Sequence, residues 1–222
     1  MDYTFDFSSI WEYREYLVNG VVGTIRLTAV GTVFGLGIGI LGAVARAWKI
    51  PGLAQIYTGY VELIRNTPFI VQLFFVFFGL PSLGVQLTEW QAATIAMVIN
   101  LGAYSTEIIR AGIDAIPKGQ IEAALALSMS RLQIFYHVVL RQALIKIWPA
   151  LSSQIVIVML GSAVCSQISA EELTFGANFI QSRNFRAFEV YFISTALYLM
   201  MAMALRQLLA SIGRRVLTRR AP

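Results

Sequence analysis

The residues of this chain that could do chemistry are polar and ionisable side chains set inside long apolar stretches. They are Glu62, Arg65, Asn66, Thr67, Gln72, Asn100, Glu107 and Ser162. Burying such groups among apolar residues is costly, so each is a candidate for a functional role or for an interhelical contact. Asn100 and Glu107 are spaced to share one helix face, which could line a cavity and bind an amino group. Glu62 and Arg65 are spaced to form an ion pair.

No catalytic or metal-binding set accompanies these side chains in the sequence. The chain has one histidine, His137, and one cysteine, Cys165, so it cannot supply the usual nucleophile–base pair or metal-ligand cluster. It also lacks the G-x-x-x-x-G-K-[ST] pattern of a phosphate-binding loop. The chain is therefore not expected to be an enzyme, and we expect it to hold no cofactor or metal of its own.

The elements that must position these residues are transmembrane helices. Apolar residues make up 57% of the 222 residues and charged residues 13%, with a mean hydropathy of +0.68. A soluble domain has about 25% charged residues, so the composition excludes an ordinary soluble enzyme. A bilayer-crossing helix needs roughly 20 mostly apolar residues. The stretches that qualify are residues 21–44, 56–80, 92–109, 145–164 and 187–209. They predict an all-α integral membrane protein with about five transmembrane helices.

The distribution of basic residues predicts the orientation of these helices. Lys and Arg follow the first, third and fifth stretches, whereas acidic residues such as Glu171 and Glu172 predominate on the other side. Cytoplasmic loops carry an excess of Lys and Arg. We therefore expect the N-terminus outside and the C-terminus in the cytoplasm, which requires an odd number of spans. The acidic pair could meet a partner outside the cell, with a solvated loop as the alternative.

Two further patterns predict local packing. Aromatic and apolar residues approximate a helical stripe near the N-terminus, namely Phe5, Phe7, Ile10, Trp11, Tyr13, Tyr16 and Leu17. This segment is expected to lie along the outer membrane interface, or else simply to pack on the helix bundle. Gly31, Gly35 and Gly39 form a small-xxx-small face, which predicts close approach of a second helix.

Residues 114–143 are expected to form a helix–turn–helix on the cytosolic side. Residues 121–127 are strong helix formers, Ser128 interrupts them, and Ser130 with Gln133 has the pattern of a capping box that starts a second helix. The small alanines of the first helix would let it seat in a groove of a partner, where Glu122 could pair with a basic group. A solvated connector helix is the alternative.

Four blocks of the sequence resemble one known family. They are ELIRNTPFIVQLFF at 62–75, AYSTEIIRAGI at 103–113, IPKGQ at 116–120, and EAA at 122–124 followed by Ser128 and by VVL at 138–140. The last block resembles the EAA loop of bacterial ABC importer permeases. The other three resemble the polar amino-acid branch of that family, which includes histidine, glutamine and glutamate permeases. The resemblance extends over almost the whole chain.

The resemblance implies a type I ABC importer permease fold with cytosolic coupling helices, in the bacterial inner membrane. It implies a periplasmic or interfacial segment over 1–19, a permease domain over 20–211 that contains the coupling loop 114–143, and a basic cytosolic tail over 212–222. The residues implied to couple to an ATPase are Glu122, Ala123, Ala124, Leu127 and Ser128. The residues implied to line a substrate pathway are Asn66, Thr67, Gln72, Asn100, Glu107 and Ser162.

The function implied by the resemblance is ATP-driven import of a polar amino acid or amino-acid derivative by alternating access. The implied partners are two cytosolic ABC ATPase subunits, which would bind ATP and magnesium, a second permease, a periplasmic amino-acid-binding protein and membrane lipid, but no nucleic acid. A secondary transporter or channel that works without ATP is the alternative, and it would favour inverted repeats or a ring of pore charges. A membrane-embedded enzyme is a third interpretation, and it would need the catalytic set that the sequence lacks.

The sequence departs from the family pattern in the coupling loop and in the fourth span. Ser128 stands where the family usually has glycine, and Arg141 where it usually has proline. Residues 161–164 read Gly-Ser-Ala-Val, where many relatives carry a stretch similar to Lys-Asp-Thr-Ser. We therefore expect a coupling turn of different shape and a smaller contribution of this chain to the substrate site. The second departure favours a heterodimer with a related permease over a homodimer.

Overall fold

The computed structural model describes residues 4–217, apart from the side chains of Ser9, Val216 and Leu217. Asp2, Arg219 and Arg220, which contributed to the charge pattern, and the end of the basic tail lie outside the described residues. All regular elements within 4–217 are helical. The α-helices are α1 (Ser8–Glu12), α2 (Arg14–Ala47), α3 (Leu53–Arg65), α4 (Phe69–Phe74), α5 (Glu89–Asp114), α6 (Lys118–Ala126), α7 (Arg131–Ile134), α8 (Leu140–Gly161), α9 (Leu173–Asn184) and α10 (Ala187–Leu217). Short 3-10 or π-helical segments adjoin them at Phe75–Gly79, Leu80–Leu83, Phe135–Val139 and Ser162–Ile168.

The long apolar helices correspond to the five predicted stretches. Four are long and apolar enough to cross a membrane, namely Arg14–Ala47, Glu89–Asp114, Arg131–Ile168 and Ala187–Arg215. The second stretch is a pair, Leu53–Arg65 and Phe69–Leu83, bent by 111°. The first helix extends beyond the predicted 21–44 at both ends, and at its start it includes residues of the segment assigned to 1–19. Hydropathy detects only the apolar part of a helix, so it underestimates the length of a helix that continues into polar residues at its ends.

Helix α2 and helix α5 pack against each other in parallel. Successive contacts advance in the same direction along both helices, pairing Gly31 with Met97, Gly35 with Leu101 and Gly39 with Ser105. The chain must therefore return to the other end of the bundle between α2 and α5, and the bent pair α3–α4 makes that return. Hence the bent pair is a broken span rather than a loop that re-enters on the same side.

The remaining helices complete an arrangement with the two ends of the chain on opposite sides. Helix α8 runs antiparallel to α10, since Trp148 near the start of α8 donates its indole N–H to the carbonyl of Leu209 near the end of α10, at 3.1 Å. Met159 and Met201, farther along α8 and nearer the start of α10, line one cleft. The five crossings agree with the odd number that the charge distribution required.

The glycine face of α2 makes the contact that the sequence predicted. A β-carbon at Gly35 would lie 2.9 Å from Cβ of Leu101, which is closer than packed carbon atoms approach. A β-carbon at Gly20 would lie 2.7 Å from Cα of Leu173. The small-residue face therefore lets α5, and the chain that precedes α9, lie directly against the α2 backbone.

The cytosolic loop contains the predicted helix α6, and its turn is well defined. The amide of Ser128 bonds to the carbonyl of Leu125 at 2.8 Å, and the amide of Met129 to that of Ala124 at 3.1 Å. This is the Schellman pattern that ends a helix on a left-handed residue, which is usually glycine. Ser128 occupies that position with a φ of 58°.

The second helix of the loop begins as predicted but does not end there. Ser130 and Gln133 form the capping box in both directions. Helix α7 then continues through a π-helical turn, Phe135–Val139, directly into α8. The predicted loop 114–143 and the predicted span 145–164 are therefore not separate elements, since residues 131–168 form one long helix. The reason is that no turn residue separates the loop from the span, and Pro149 is accommodated inside α8.

The N-terminal segment packs on the outer end of the bundle. Ile10 and Leu17 are buried against α9 and the start of α10. Arg186 donates to the carbonyl of Thr4 at 2.9 Å, and the ring of Tyr16 stacks on that of Phe179 with centroids 4.1 Å apart. One face of the predicted stripe is therefore part of the packed bundle. Trp11 remains exposed on the other face.

Candidate functional site

Gln72 forms hydrogen bonds across the break in the second span. Between α3 and α4 the chain leaves the helical conformation at Pro68, which has a ψ of 140°. The side-chain amide of Gln72 donates to the carbonyls of Ile64 at 2.7 Å and of Thr67 at 3.0 Å. A break in a transmembrane helix leaves carbonyl groups that need partners, because lipid supplies none. Gln72 supplies these hydrogen bonds and thereby stabilises the break.

A cavity of about 420 Å³ lies beside the break. Its lining comes from the break and from helices α5 and α8, and consists of Thr67, Pro68, Phe69, Met97, Asn100, Tyr104, Gln154, Ile157, Val158 and Gly161. Four of these carry a hydroxyl or an amide, whereas no Asp, Glu, Lys or Arg belongs to the described lining. Small-molecule sites typically combine apolar walls with a few polar groups in this way.

Asn100 joins the cavity to the broken span. Its side-chain amide donates to Oε1 of Gln72 at 3.0 Å, and the residue also lines the cavity. The Arg65 guanidinium lies over the ring of Tyr104, 5.5 Å from the centroid. The residues that shape the break are therefore in contact with two residues of the cavity wall.

The predicted pathway residues separate into groups in the structure. Thr67 and Asn100 line the cavity, and Gln72 lies behind them. Asn66 is exposed and donates to Glu62, at 3.1 Å from Oε2. Ser162 is buried and donates to the carbonyl of Met159 at 2.7 Å, outside the cavity lining. The break and its neighbours thus form a site, and the remaining residues make local hydrogen bonds.

Glu107 lies apart from the cavity in an ion-pair network between α2 and α5. Its Oε2 is 2.7 Å from Arg46 Nη1, and its Oε1 contacts Arg110. Arg110 also pairs with Asp114 at 2.6 Å. The shared helix face of Asn100 and Glu107 does not bring them together, because Glu107 lies near the end of α5, where basic residues meet it. For Glu107, the structure therefore supports an interhelical contact rather than a place in the cavity wall.

The suggested ion pair between Glu62 and Arg65 is replaced by other contacts. Glu62 accepts from Asn66, and Arg65 lies over Tyr104. Two cavity residues, Tyr104 and Gln154, were missed from the sequence. Gln154 is an amide inside the apolar stretch 145–164, so the same desolvation argument that selected Gln72 would have selected it. Tyr104 gave no comparable signal, since a tyrosine is common in a membrane helix.

The predicted coupling residues divide between a surface and a small core. Glu122, Ala123, Leu127 and Ser128 are exposed, and Leu127 keeps 76% of its surface accessible. Ala124 is buried in a cluster with Ile116, Ile134, Val139 and Ala143. The loop is thus a preformed unit with its own apolar core. Leu125, which the sequence reasoning passed over, is exposed and adds a second leucine to this surface.

The two acidic residues of the outer loop have different environments. Glu171 is exposed, whereas Glu172 is fully buried. Glu172 caps α9 by accepting a hydrogen bond from the amide of Phe175 at 2.9 Å, and it accepts another from the hydroxyl of Tyr198. Burial raises the pKa of the Glu172 carboxyl above its ordinary value, although these hydrogen bonds oppose the shift. Glu172 therefore has a structural role, and Glu171 alone faces solvent.

Comparison with known proteins gives a consistent result. Residues 31–220 match the family described as "Binding-protein-dependent transport system inner membrane component". The L-cystine transport system permease protein TcyB of Bacillus subtilis is 37% identical over 180 residues, covering 81% of this chain and 77% of that protein. The glutamine transport system permease protein GlnP of Escherichia coli is 34% identical over 217 residues, covering 96% and 98%.

Solved structures share the fold over nearly the whole chain. The crystal structure of an amino acid ABC transporter with histidines aligns with a TM-score of 0.89 and 35% identity, covering 96% of this chain and 100% of that chain. The inward-facing MetNI methionine ABC transporter aligns with a TM-score of 0.72 at 23% identity, covering 96% and 99%. The second likeness concerns the fold alone.

Proposed function

The chain belongs to the binding-protein-dependent transport system inner membrane component family, so it is a permease subunit of an ABC importer, and we propose that it moves an amino acid with a polar, uncharged side chain. The observation that carries this proposal is the cavity beside the broken span. Thr67, Asn100 and Gln154 offer hydroxyl and amide groups there without a charged residue in the described lining. Glutamine, which names the transport system of one relative, has a side chain of this polarity, and cystine, which names that of another, carries no net charge at neutral pH.

Energy for transport enters through partner subunits in this proposal. Two cytosolic ATPase subunits bind ATP and magnesium and dock on α6, where Glu122, Leu125 and Leu127 are exposed. The apolar core beneath α6 supports such docking, because it fixes the shape of the surface before the partner arrives. Closure of the ATPases would then move the helices that line the cavity and change the side from which it is open.

The assembly that we propose lies in the bacterial inner membrane, with the acidic end of the bundle in the periplasm. A periplasmic amino-acid-binding protein delivers the solute there, and exposed Glu171 belongs to that side. The second permease is a related chain rather than a second copy. The uncharged lining supports this choice, since a partner with a charged site could hold the α-amino and α-carboxyl groups that this cavity does not neutralise.

The experiment is ATP-dependent uptake in proteoliposomes that contain this chain with its ATPase, partner permease and binding protein. Radiolabelled glutamine, cystine, histidine and glutamate are compared, and ATP hydrolysis is followed in parallel. We expect uptake of glutamine or cystine to require ATP. Uptake driven by an ion gradient without ATP would contradict the importer, and a preference for glutamate or histidine would contradict the uncharged substrate class.

Gln154→Leu tests whether the cavity is the solute path. Leucine removes the amide at similar volume, so we expect uptake to fall at least about fivefold, since a lost hydrogen bond to a buried polar ligand is worth about 1–3 kcal/mol. Gln207→Leu makes the same change on the exposed surface of α10 and should leave uptake intact. Equal uptake by the two variants would remove this cavity from the pathway.

Glu122→Arg tests the coupling surface. Reversing this exposed charge should separate ATP hydrolysis from uptake while the bundle stays folded, because Glu122 lies outside the apolar core of the loop. Glu12→Arg is the matched control, as it reverses an exposed charge at the opposite end of the bundle. If Glu122→Arg transports normally with normal ATP consumption, α6 is not the docking element.

A further inference from the structure

A second polar cavity, of about 530 Å³, lies at the cytosolic end of the bundle. It is formed where α2 ends, α3 begins and α5 approaches its last turn. Its lining consists of Arg46, Lys49, Ala54, Gln55, Thr58 and Arg110. It is separate from the solute cavity, with which it shares no lining residue, and neither the solute path nor the coupling surface uses it.

The ionisable residues that line this cavity are all basic, and together with their carboxylate partners they carry a net positive charge. Arg46, Lys49 and Arg110 belong to the lining, whereas Glu107 and Asp114, which pair with the two arginines, do not. The carboxylates thus fix the positions of the two guanidinium groups and offset part of their charge, and Lys49 has no ion pair of its own among the described residues. Ala54, Gln55 and Thr58 come from the first turns of α3, whose N-terminal end adds positive potential.

The surroundings place this cavity at the level of lipid headgroups. Trp48 precedes Lys49 and is 45% exposed, and tryptophan concentrates at the membrane–water interface. Leu53 and Ile56 lie on α3 next to the lining residues and are 41% and 68% exposed. A molecule bound in the cavity by a phosphate group would therefore have apolar side chains beside it on which to rest an acyl chain.

We propose that this cavity binds the phosphate group of an anionic phospholipid from the cytoplasmic leaflet. The guanidinium groups of Arg46 and Arg110 and the ammonium group of Lys49 neutralise and hydrogen-bond the phosphate, while the acyl chains lie along Leu53 and Ile56. Basic pockets between transmembrane helices on the cytoplasmic side suit such headgroups. The proposal depends on the fold and its orientation and not on which solute the permease moves.

Native mass spectrometry of the full-length chain in detergent tests the proposal. The protein is titrated with phosphatidylglycerol, with zwitterionic phosphatidylcholine and with inorganic phosphate. We expect phosphatidylglycerol to bind most tightly, and Lys49→Gln to weaken that binding about fivefold, as expected for one basic residue at a membrane surface. Lys49 is exposed, so thermal unfolding should show that the variant remains folded.

Arg206→Gln is the matched control, since it removes one exposed positive charge from the same end of α10 as the cytosolic tail. Its affinity for phosphatidylglycerol should equal that of the unaltered chain. Equal weakening by both substitutions would show that overall charge, and not this cavity, attracts the lipid. Equal binding of phosphatidylcholine would overturn the requirement for an anionic headgroup, and equally tight binding of inorganic phosphate would overturn the assignment to a lipid.

Discussion

Ser128 adopts a left-handed backbone conformation at the end of α6, with a φ of 58°. A non-glycine residue pays about 1 kcal/mol for that conformation. Ser128 therefore adopts the conformation that glycine usually adopts at the end of a helix, and the expectation of a coupling turn that differs in shape from that of relatives stays a prediction. At this position serine makes the Schellman turn less stable than glycine would.

Ser128→Gly should stabilise the coupling loop by about 1 kcal/mol, because glycine adopts this conformation without a steric penalty. The measurement is hydrogen exchange of the amides of α6, which should become slower. Ser130→Ala, two residues away, is the control of opposite sign, since it removes the N-cap of α7 and should cost about 1 kcal/mol. Faster exchange in Ser128→Gly would contradict the conformational argument.

Glu172 should make stability depend on pH at the outer end of the bundle. Because burial raises its pKa in the folded protein, the folded state takes up a proton at a higher pH than the unfolded state does. Stability therefore increases as the pH falls from the raised pKa towards the ordinary carboxyl value, and it does not change further below that value. Thermal unfolding followed from neutral pH down to the ordinary carboxyl pKa should show this increase.

Glu172→Gln should abolish this part of the pH dependence, while its side-chain oxygen can still accept the capping bond from Phe175. Glu171→Gln is the matched control on the neighbouring, exposed carboxyl and should keep the dependence. A pH profile that both substitutions leave unchanged would assign the effect to other groups.

At the scale of elements, the contact between α2 and α5 organises the bundle. A β-carbon at Gly39 would lie 2.7 Å from Cβ of Ser105 and 3.1 Å from its carbonyl carbon, whereas one at Gly37 would meet nothing within 4 Å. Gly39→Ala should therefore destabilise the protein by about 1–3 kcal/mol through overpacking. Gly37→Ala should stabilise it by up to about 1 kcal/mol through helix propensity.

Thermal unfolding in detergent measures both glycine variants under the same conditions. The two glycines lie at nearly the same depth along one helix, but Gly39 is buried against α5 and Gly37 is exposed, so the comparison tests the contact with α5. Equal effects of the two substitutions would mean that α5 does not approach α2 closely. A stabilised Gly39→Ala would contradict the packing itself.

The elements were predictable to the extent that their signals are local. Apolar length revealed the five spans, the glycine spacing revealed the α2 face, and the sequence Ser130 to Gln133 revealed a capping box. The continuity of α7 with α8 was not predictable in this way. Helix-forming residues continue from the loop into the span, so helix propensity does not indicate where one helix would end and the next begin. The cavity required the three-dimensional approach of α8, so no sequence pattern showed that Gln154 lies together with Thr67 and Asn100.

Glu107 shows why shared helix faces do not identify a site. Glu107 and Asn100 lie on one face of α5, as their spacing predicted. The carboxylate of Glu107 nevertheless pairs with two arginines, one of them from α2, and does not line the cavity. Glu107 forms an ion pair because Arg46, which lies 61 residues away in sequence, comes close to it in the folded bundle. No local pattern contains that information.

At the scale of the whole molecule, the parallel packing of α2 with α5 and the antiparallel packing of α8 with α10 give five crossings, which place the two ends of the chain on opposite sides of the membrane. Ser8→Cys, on exposed α1, should react with an impermeant maleimide in intact spheroplasts, whereas Arg215→Cys, exposed near the end of α10, should react after permeabilisation alone. The native Cys165 is buried and should stay unlabelled. Reaction of both engineered cysteines from one side would contradict five crossings.

The long helix of residues 131–168 has a mechanical consequence. With a rise of about 1.5 Å per residue, Gln154 stands roughly 35 Å from Arg131 along a single rod. A tilt of about 10° at the coupling end would displace the cavity wall by roughly 6 Å on that lever arm, which is comparable to one helical turn. Pro149 lacks an amide hydrogen for the helix ladder and lies between the two ends. Bending at Pro149 would shorten the arm that reaches Gln154 to five residues, or about 7.5 Å, so the stiffness of the helix at Pro149 determines how much of a movement at the coupling end reaches the solute.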